Sequence, residues 1–137
     1  MKVYVDTSVT LRVLFREPNP LSTWGKWTEA YASRIWYTEA LRVVDRTRLM
    51  AGINDQQVAQ LRRDIDVIHE VFHILPVSER IMTRAGDAFP TVVGTLDAIH
   101  LASAIQLRET IGLDVFLTHD VQLATAANAS GFVVQGV

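Results

Sequence analysis

The stretch IHEVFHILPV, residues 68–77, decides the fold. It contains His69, Glu70 and His73 in the His-Glu-x-x-His spacing of zinc proteases. On one continuous helix the two imidazoles share a face, and Glu70 serves as general base. As a helix running into a strand, the same residues supply one unit of an alternating α/β chain. The neighbouring residues favour the second arrangement. An apolar stripe at Val58, Leu61, Ile65 and Ile68, spaced by threes and fours, carries a helix up to this point. His69 lies beside that stripe, not within it. Pro76 then pushes Leu75 out of helical geometry, so Phe72 to Val77 reads as extended. A helix ending near Val71 sends His69 and His73 in different directions. Neither downstream ligand extension of the protease families follows, and only His100 and His119 remain as distant histidine ligands. A zinc metalloprotease built on His69, Glu70 and His73 therefore stands as an alternative that lacks its third ligand.

Outward from this junction, strands and helices alternate. Upstream, Val3-Tyr4-Val5 is a β-rich run ending at Asp6, after which Thr7-Ser8 can cap a helix to about Phe15. Pro18 and Pro20 precede a helix expected over Leu21 to Ala32. Ile35-Trp36-Tyr37 reads as a second strand, and Glu39 to Met50 as a helix. Downstream, Ser78 caps a helix to about Ala88. Thr95 caps an apolar helix, LDAIHLASAIQL, which Gly112 stops. Val115 to Leu117, Val121 to Ala129 and Phe132 to Val134 then read as strand, helix and strand. The fold class expected is α/β: one domain over residues 1–137, with a central, mainly parallel sheet flanked by helices on both faces.

Composition agrees. With 137 residues, 49% hydrophobic and 20% charged, the chain can bury a core and is not a disordered segment. No apolar run approaches the roughly 18 residues of a membrane span, and the start does not look like a signal peptide. The expectation is a cytoplasmic protein without a membrane partner. The absence of cysteine excludes disulfides, thiol nucleophiles and cysteine-based zinc sites. Net charge is −2, so any nucleic-acid contact must come from a local patch. Gly25-Lys26-Trp27 lacks the hydroxyl and upstream glycine of a phosphate loop, and no G-x-S-x-G elbow is present. A phosphoaspartate site is disfavoured too, because Ser8 stands where a second acid belongs and no lysine follows Lys26.

The acids form a pattern. In open parallel sheets, ligands bind beyond the carboxyl ends of the strands. Asp6 follows VYV, Glu39 follows IWYT, and Asp120 follows VFLTH. Asp97 lies in the first turn of the helix after Thr95, where the dipole tolerates an anion, and His100 faces the same way three residues on. Any one of these acids alone reads as a helix cap. Converging, they repel one another and raise one another's pKa unless a cation neutralises them. An all-oxygen set selects a hard ion such as Mg²⁺, and such a site suits phosphodiester cleavage. His100 reads as a packed helix histidine. His119 points either at substrate or away from it. Arg42 and Arg46, at i and i+4, share a helix face that either contacts RNA phosphate or is solvated and paired with Asp45.

Taken in order, VYVDTS, TEALR, LDAIHLASA and VFLTHD resemble the PIN-domain ribonucleases, above all the VapC-type toxins of bacterial toxin–antitoxin pairs. The likeness spans nearly the whole chain. It implies metal-binding catalytic carboxylates at Asp6, Glu39, Asp97 and Asp120, with Ser8 and Thr118 orienting water or the acids. It further implies a Mg²⁺- or Mn²⁺-dependent endoribonuclease acting on an RNA substrate, inhibited by a small VapB-like antitoxin, and forming a homodimer. A catalytically inactive PIN-fold module that binds RNA or protein is the alternative.

Overall fold

The computed structural model describes residues 1–137. In chain order the elements are β1 (Lys2–Val5), α1 (Thr7–Leu14), β2 (Glu29–Ser33), α2 (Ile35–Ala51), α3 (Asp55–Val71) and β3 (His73–Leu75). They continue with α4 (Glu79–Ala85), α5 (Thr95–Thr110), β4 (Val115–Leu117), α6 (Val121–Ala129) and β5 (Val134–Gln135). The five strands form one sheet in the order β3-β2-β1-β4-β5, and every neighbouring pair is parallel. The chain thus builds outward from β1 in one direction and then returns to build in the other. The crevice between β1 and β4 is the point where the strand order reverses.

Alternation along β1 and β4 divides the core into two layers. Val3, Val5, Val115 and Leu117 face Val9, Trp36, Ala40, Val44 and Ile65 from α1, α2 and α3. Tyr4 and Phe116, on the opposite face, pack with Leu101, Leu107, Leu123 and Ala126 from α5 and α6. A strand buried on both faces needs an unbroken apolar run, which is what VYV and VFL supply. The expected α/β architecture, with helices on both faces, is what the chain adopts.

Two expected elements are misplaced. Ile35-Trp36-Tyr37 is the first turn of α2, not a strand, and the strand is Glu29–Ser33, where the end of a helix was expected. The β propensity of three branched or aromatic residues yields here to burial on a helix. The Trp36 side chain is fully buried, with its ring 5.4 Å from that of Phe72. In β2 the alternation is carried by small residues, Ala30 and Ala32, buried in the same layer as Trp36 and Ala40. Leu21 to Ala32 cannot be one helix, since Gly25 adopts φ 77° and Trp24 and Trp27 fold back onto the core. Smaller shifts follow. Gly94 is the N-cap of α5 and Thr95 its first residue, and the last strand is Val134–Gln135 with Phe132 buried in the core.

The 68–77 junction folds as read. His69 is on α3 and His73 on β3. The Trp36 indole N–H donates to His69 Nδ1 at 3.1 Å, whereas His73 stacks on Tyr31 with ring centroids 4.9 Å apart. His69 is held by Trp36 and the exposed His73 lies against Tyr31, in different places, and the zinc-protease alternative is excluded by their divergence.

Near its end the chain passes over the β4 loop. Gly136 has φ 112°, and a Cβ there would lie 2.3 Å from the Thr118 carbonyl oxygen. Only glycine fits so close an approach. Its own carbonyl accepts a 2.7 Å hydrogen bond from His119 Nδ1, which pins that ring to the terminal segment.

Trp36→Ala should lower stability by about 3–5 kcal/mol, the cost of emptying a buried aromatic site. Urea unfolding would report it as a lower midpoint at unchanged slope. A loss below about 1 kcal/mol would contradict the placement of Trp36 in the core.

Candidate active site

The strand order reverses beside β1, and the acids gather there. Asp6 ends β1 and caps α1: its Oδ2 accepts from the Ser8 backbone N–H at 3.3 Å and from the Ser8 hydroxyl. The Thr118 hydroxyl, at the end of β4, donates to the same oxygen at 2.9 Å and accepts the Asp120 backbone N–H at 3.0 Å. The Ser8 hydroxyl accepts the His119 backbone N–H at 3.0 Å. Ser8 and Thr118 therefore lace the loop after β1 to the loop after β4. Asp6 is held by one oxygen, and its Oδ1 is left facing the cluster. Asp120 is the N-cap of α6, with Oδ1 accepting from Leu123 N–H at 3.0 Å.

Glu39 reaches the same place by another route. It does not follow a strand, as the sequence suggested; it is the fifth residue of α2. Its Oε1 accepts from the Thr7 hydroxyl at 2.7 Å and from His100 Nε2 at 2.6 Å. His100, one turn along α5 from Asp97, is fully buried; its Nδ1 meets the Tyr4 hydroxyl at 2.7 Å, and its Nε2 lies 3.6 Å from Asp6 Oδ1. Tyr4, Thr7 and His100 are thus site residues that sequence reasoning assigned to core, cap and packing. The one available signal was His100 standing three residues after Asp97. His119 faces the terminal segment, as described above, and not the acids.

The electrostatics follow from this crowding. Burial, and then the charges of Asp6, Asp120 and Glu39 opposed by His100, push the Asp97 carboxyl up from 3.8 to about 6. All four acids therefore act in one field, and Asp97 is where the excess negative charge is felt. Burial would raise Glu39 and lower His100. The hydrogen bond and charge between them, with Thr7 helping Glu39 and the Asp6 and Asp97 charges helping His100, outweigh burial. Glu39 ends lowered and His100 raised.

These residues fit a hard cation. Asp97 makes no side-chain hydrogen bond within the chain, Asp6 and Asp120 each keep an oxygen outside their caps, and Glu39 keeps Oε2. The donors are oxygens throughout, the set that Mg²⁺ or Mn²⁺ selects. As placed, no three of the acids and histidines stand close enough together to hold a metal ion. Arg42 and Arg46 lie three and seven residues after Glu39 and so extend its face of α2. The Arg42 side chain is 71% exposed and pairs with Asp45 at 3.2 Å, a surface contact of little weight.

The sign of the pH dependence is fixed by Asp97. Its folded value lies above its ordinary one, so it opposes folding increasingly as pH rises from 3.8 to about 6, and fully above that. In chelator, Asp97→Asn should therefore raise the melting temperature at pH 8, by roughly 2–6 °C for each 1 kcal/mol relieved. The gain should shrink below pH 6 and vanish near pH 4. A variant that melts lower than the parent at pH 8 would show that the carboxylate is not under strain.

Comparison with known proteins agrees with this geometry. The sequence matches the PIN domain family over residues 3–129. Ribonuclease VapC47 of Mycobacterium tuberculosis (strain CDC 1551 / Oshkosh) is 32% identical, in an alignment covering 96% of this chain and 93% of that protein. Among solved structures, FitAcB from Neisseria gonorrhoeae superposes with a TM-score of 0.70 at 20% identity, over 96% of this chain and 95% of the other. VapBC2 from Rickettsia felis, bound to a DNA fragment from their promoter, gives 0.67 at 14% identity over 98% of each chain. At such identities the two structures speak for the fold alone.

Proposed function

This chain belongs to the PIN domain family, and on that premise we propose that Asp6, Asp97, Asp120 and Glu39 form the metal-holding catalytic centre of an endoribonuclease. The chain is a VapC-type toxin that cleaves RNA; the ribonuclease VapC relative, similar along nearly its whole length, supports that function. Its protein partner is a small VapB-like antitoxin, an assignment supported by the shared fold of the VapBC2 assembly. The homodimer and the cytoplasmic location belong to the same reading.

The observation that carries the catalytic assignment is the gathering of Asp6, Asp97, Asp120 and Glu39 at the reversal of strand order, where burial first, and then the neighbouring acids against His100, push the Asp97 carboxyl up to about 6. Such a cluster is unfavourable without a cation. When bound, Mg²⁺ or Mn²⁺ would supply that neutralisation and the activation of water for attack on phosphorus. Asp6 and Asp97 would hold the principal ion, with Asp120 and Glu39 completing the site. Ser8 and Thr118 fix the Asp6 carboxylate by donating to Oδ2, so that Oδ1 keeps one direction. Arg42 and Arg46, on the Glu39 face of α2, receive the phosphates flanking the cleaved bond. The full set of four acids supports an enzyme over an inert binding module.

Asp6→Asn and Asp97→Asn should each abolish RNA cleavage while leaving the circular-dichroism spectrum unchanged, and EDTA should stop the parent. Replacing Arg42 and Arg46 together with alanine should weaken RNA binding and flatten its salt dependence without abolishing cleavage. Cleavage that persists in EDTA, or in either aspartate variant, would end the metal-nuclease reading.

A further inference from the structure

Resting on the nuclease reading above, we infer that His100 is a positioning residue: anchored by Tyr4, its imidazole holds the Glu39 carboxylate within the acid cluster. Around it α5 is otherwise apolar, with Ala98, Ile99, Leu101 and Ala102 all buried. A leucine would fill the space, yet the chain places there a ring whose two nitrogens are both engaged. Nδ1 meets the Tyr4 hydroxyl at 2.7 Å, and Nε2 meets Glu39 Oε1 at 2.6 Å. A carboxylate only accepts, so Nε2 carries the proton.

The arrangement links three elements that share no strand pairing at this point: Tyr4 from β1, His100 from α5 and Glu39 from α2. Tyr4 is itself immobile, fully buried and stacked on Phe116 at 5.1 Å. The anchor is therefore rigid and the held group is not. Glu39 is a flexible side chain on a partly open face, with 23% of it exposed, and the Asp97 carboxylate repels it. Left alone it would swing to solvent. The short bond from His100, seconded by the Thr7 hydroxyl at 2.7 Å, keeps Oε1 inside and leaves Oε2 for a ligand. Groups that orient a metal-holding side chain in this way commonly matter about 10–100-fold in metal affinity or activity.

The test is a titration of the purified chain with Mn²⁺, followed by electron paramagnetic resonance of the free ion, beside RNA-cleavage rates. The variants are His100→Leu, His100→Gln and Tyr4→Phe, each made in the parent and in Glu39→Gln. His100→Leu should weaken Mn²⁺ binding about tenfold or more and slow cleavage in step. His100→Gln, which retains an N–H donor, should recover part of both, and Tyr4→Phe should show a smaller loss in the same direction. In the Glu39→Gln background the leucine should add less than about twofold, since its effect runs through Glu39. A histidine that merely packs would lower the melting temperature and leave Mn²⁺ affinity alone. If His100→Leu does not fold, Tyr4→Phe decides, because it removes a single oxygen and keeps the aromatic stack. Wild-type affinity in these variants, or a loss undiminished in Glu39→Gln, overturns the inference alone. A parent that neither binds Mn²⁺ nor cleaves RNA overturns the nuclease reading and takes the inference with it.

Discussion

The parallel pairing of β1 with β4 is the constraint on which the molecule depends. Asp6 N–H donates to the Leu117 carbonyl at 2.9 Å, closing the ladder at its carboxyl end. From that bond outward the loops diverge, one carrying Ser8 and the other Thr118 and Asp120. Their hydroxyls tie the two loops together across the crevice that the divergence opens. The same pairing buries both faces of β1, so the two hydrophobic layers meet at this strand. Packing and chemistry thus share a single hinge line. A displacement of β1 that disturbed the core would also separate the acids.

Against that background the electrostatic design is coherent. Three of the four acids are at helix starts, where backbone N–H groups can accept their charge: Asp6 and Asp120 as caps, Asp97 in a first turn. Glu39, inside α2, has no such help and relies on Thr7 and His100 instead. The cluster is therefore not uniformly stabilised. Asp97, without a hydrogen bond of its own, is half-buried among the other acids and bears the residual repulsion.

What the sequence made legible, and what it did not, divides along physical lines. The strands buried on both faces, Val3 to Val5 and Val115 to Leu117, announce themselves by uninterrupted apolar runs, and Asp6 and Asp120 lie beyond their carboxyl ends as those runs imply. The junction at Phe72 is equally plain, because Pro76 imposes a local rule. The failures lie where tertiary packing overrides local preference. Ile35-Trp36-Tyr37 has strand-like residues but a helix's burial, and Ala30 and Ala32 make a strand from residues that rarely signal one. Glu39 therefore does not follow a strand; it meets His100 and Thr7 from the second turn of α2. The contacts that join Tyr4, Thr7 and His100 to Glu39 are not legible in the sequence, because they exist only between elements far apart in the chain. The most protease-like motif, by contrast, is local, and it dissolves once its two histidines are seen to serve different elements.

The order in which the sheet is built carries a consequence for synthesis. The first strand is central, but its β4 neighbour and the last of the acids arrive only after residue 114. At about 5–20 residues per second, a ribosome takes several seconds to deliver them. During that interval Asp6 and Glu39 can exist without Thr118 or Asp120, and β1 has an unpaired edge. On the site proposed above, an enzyme that attacks RNA is thereby made beside RNA before its acid cluster is complete. The long-range closure that makes parallel sheets slow to fold delays the assembly of that cluster until Asp120 has been made.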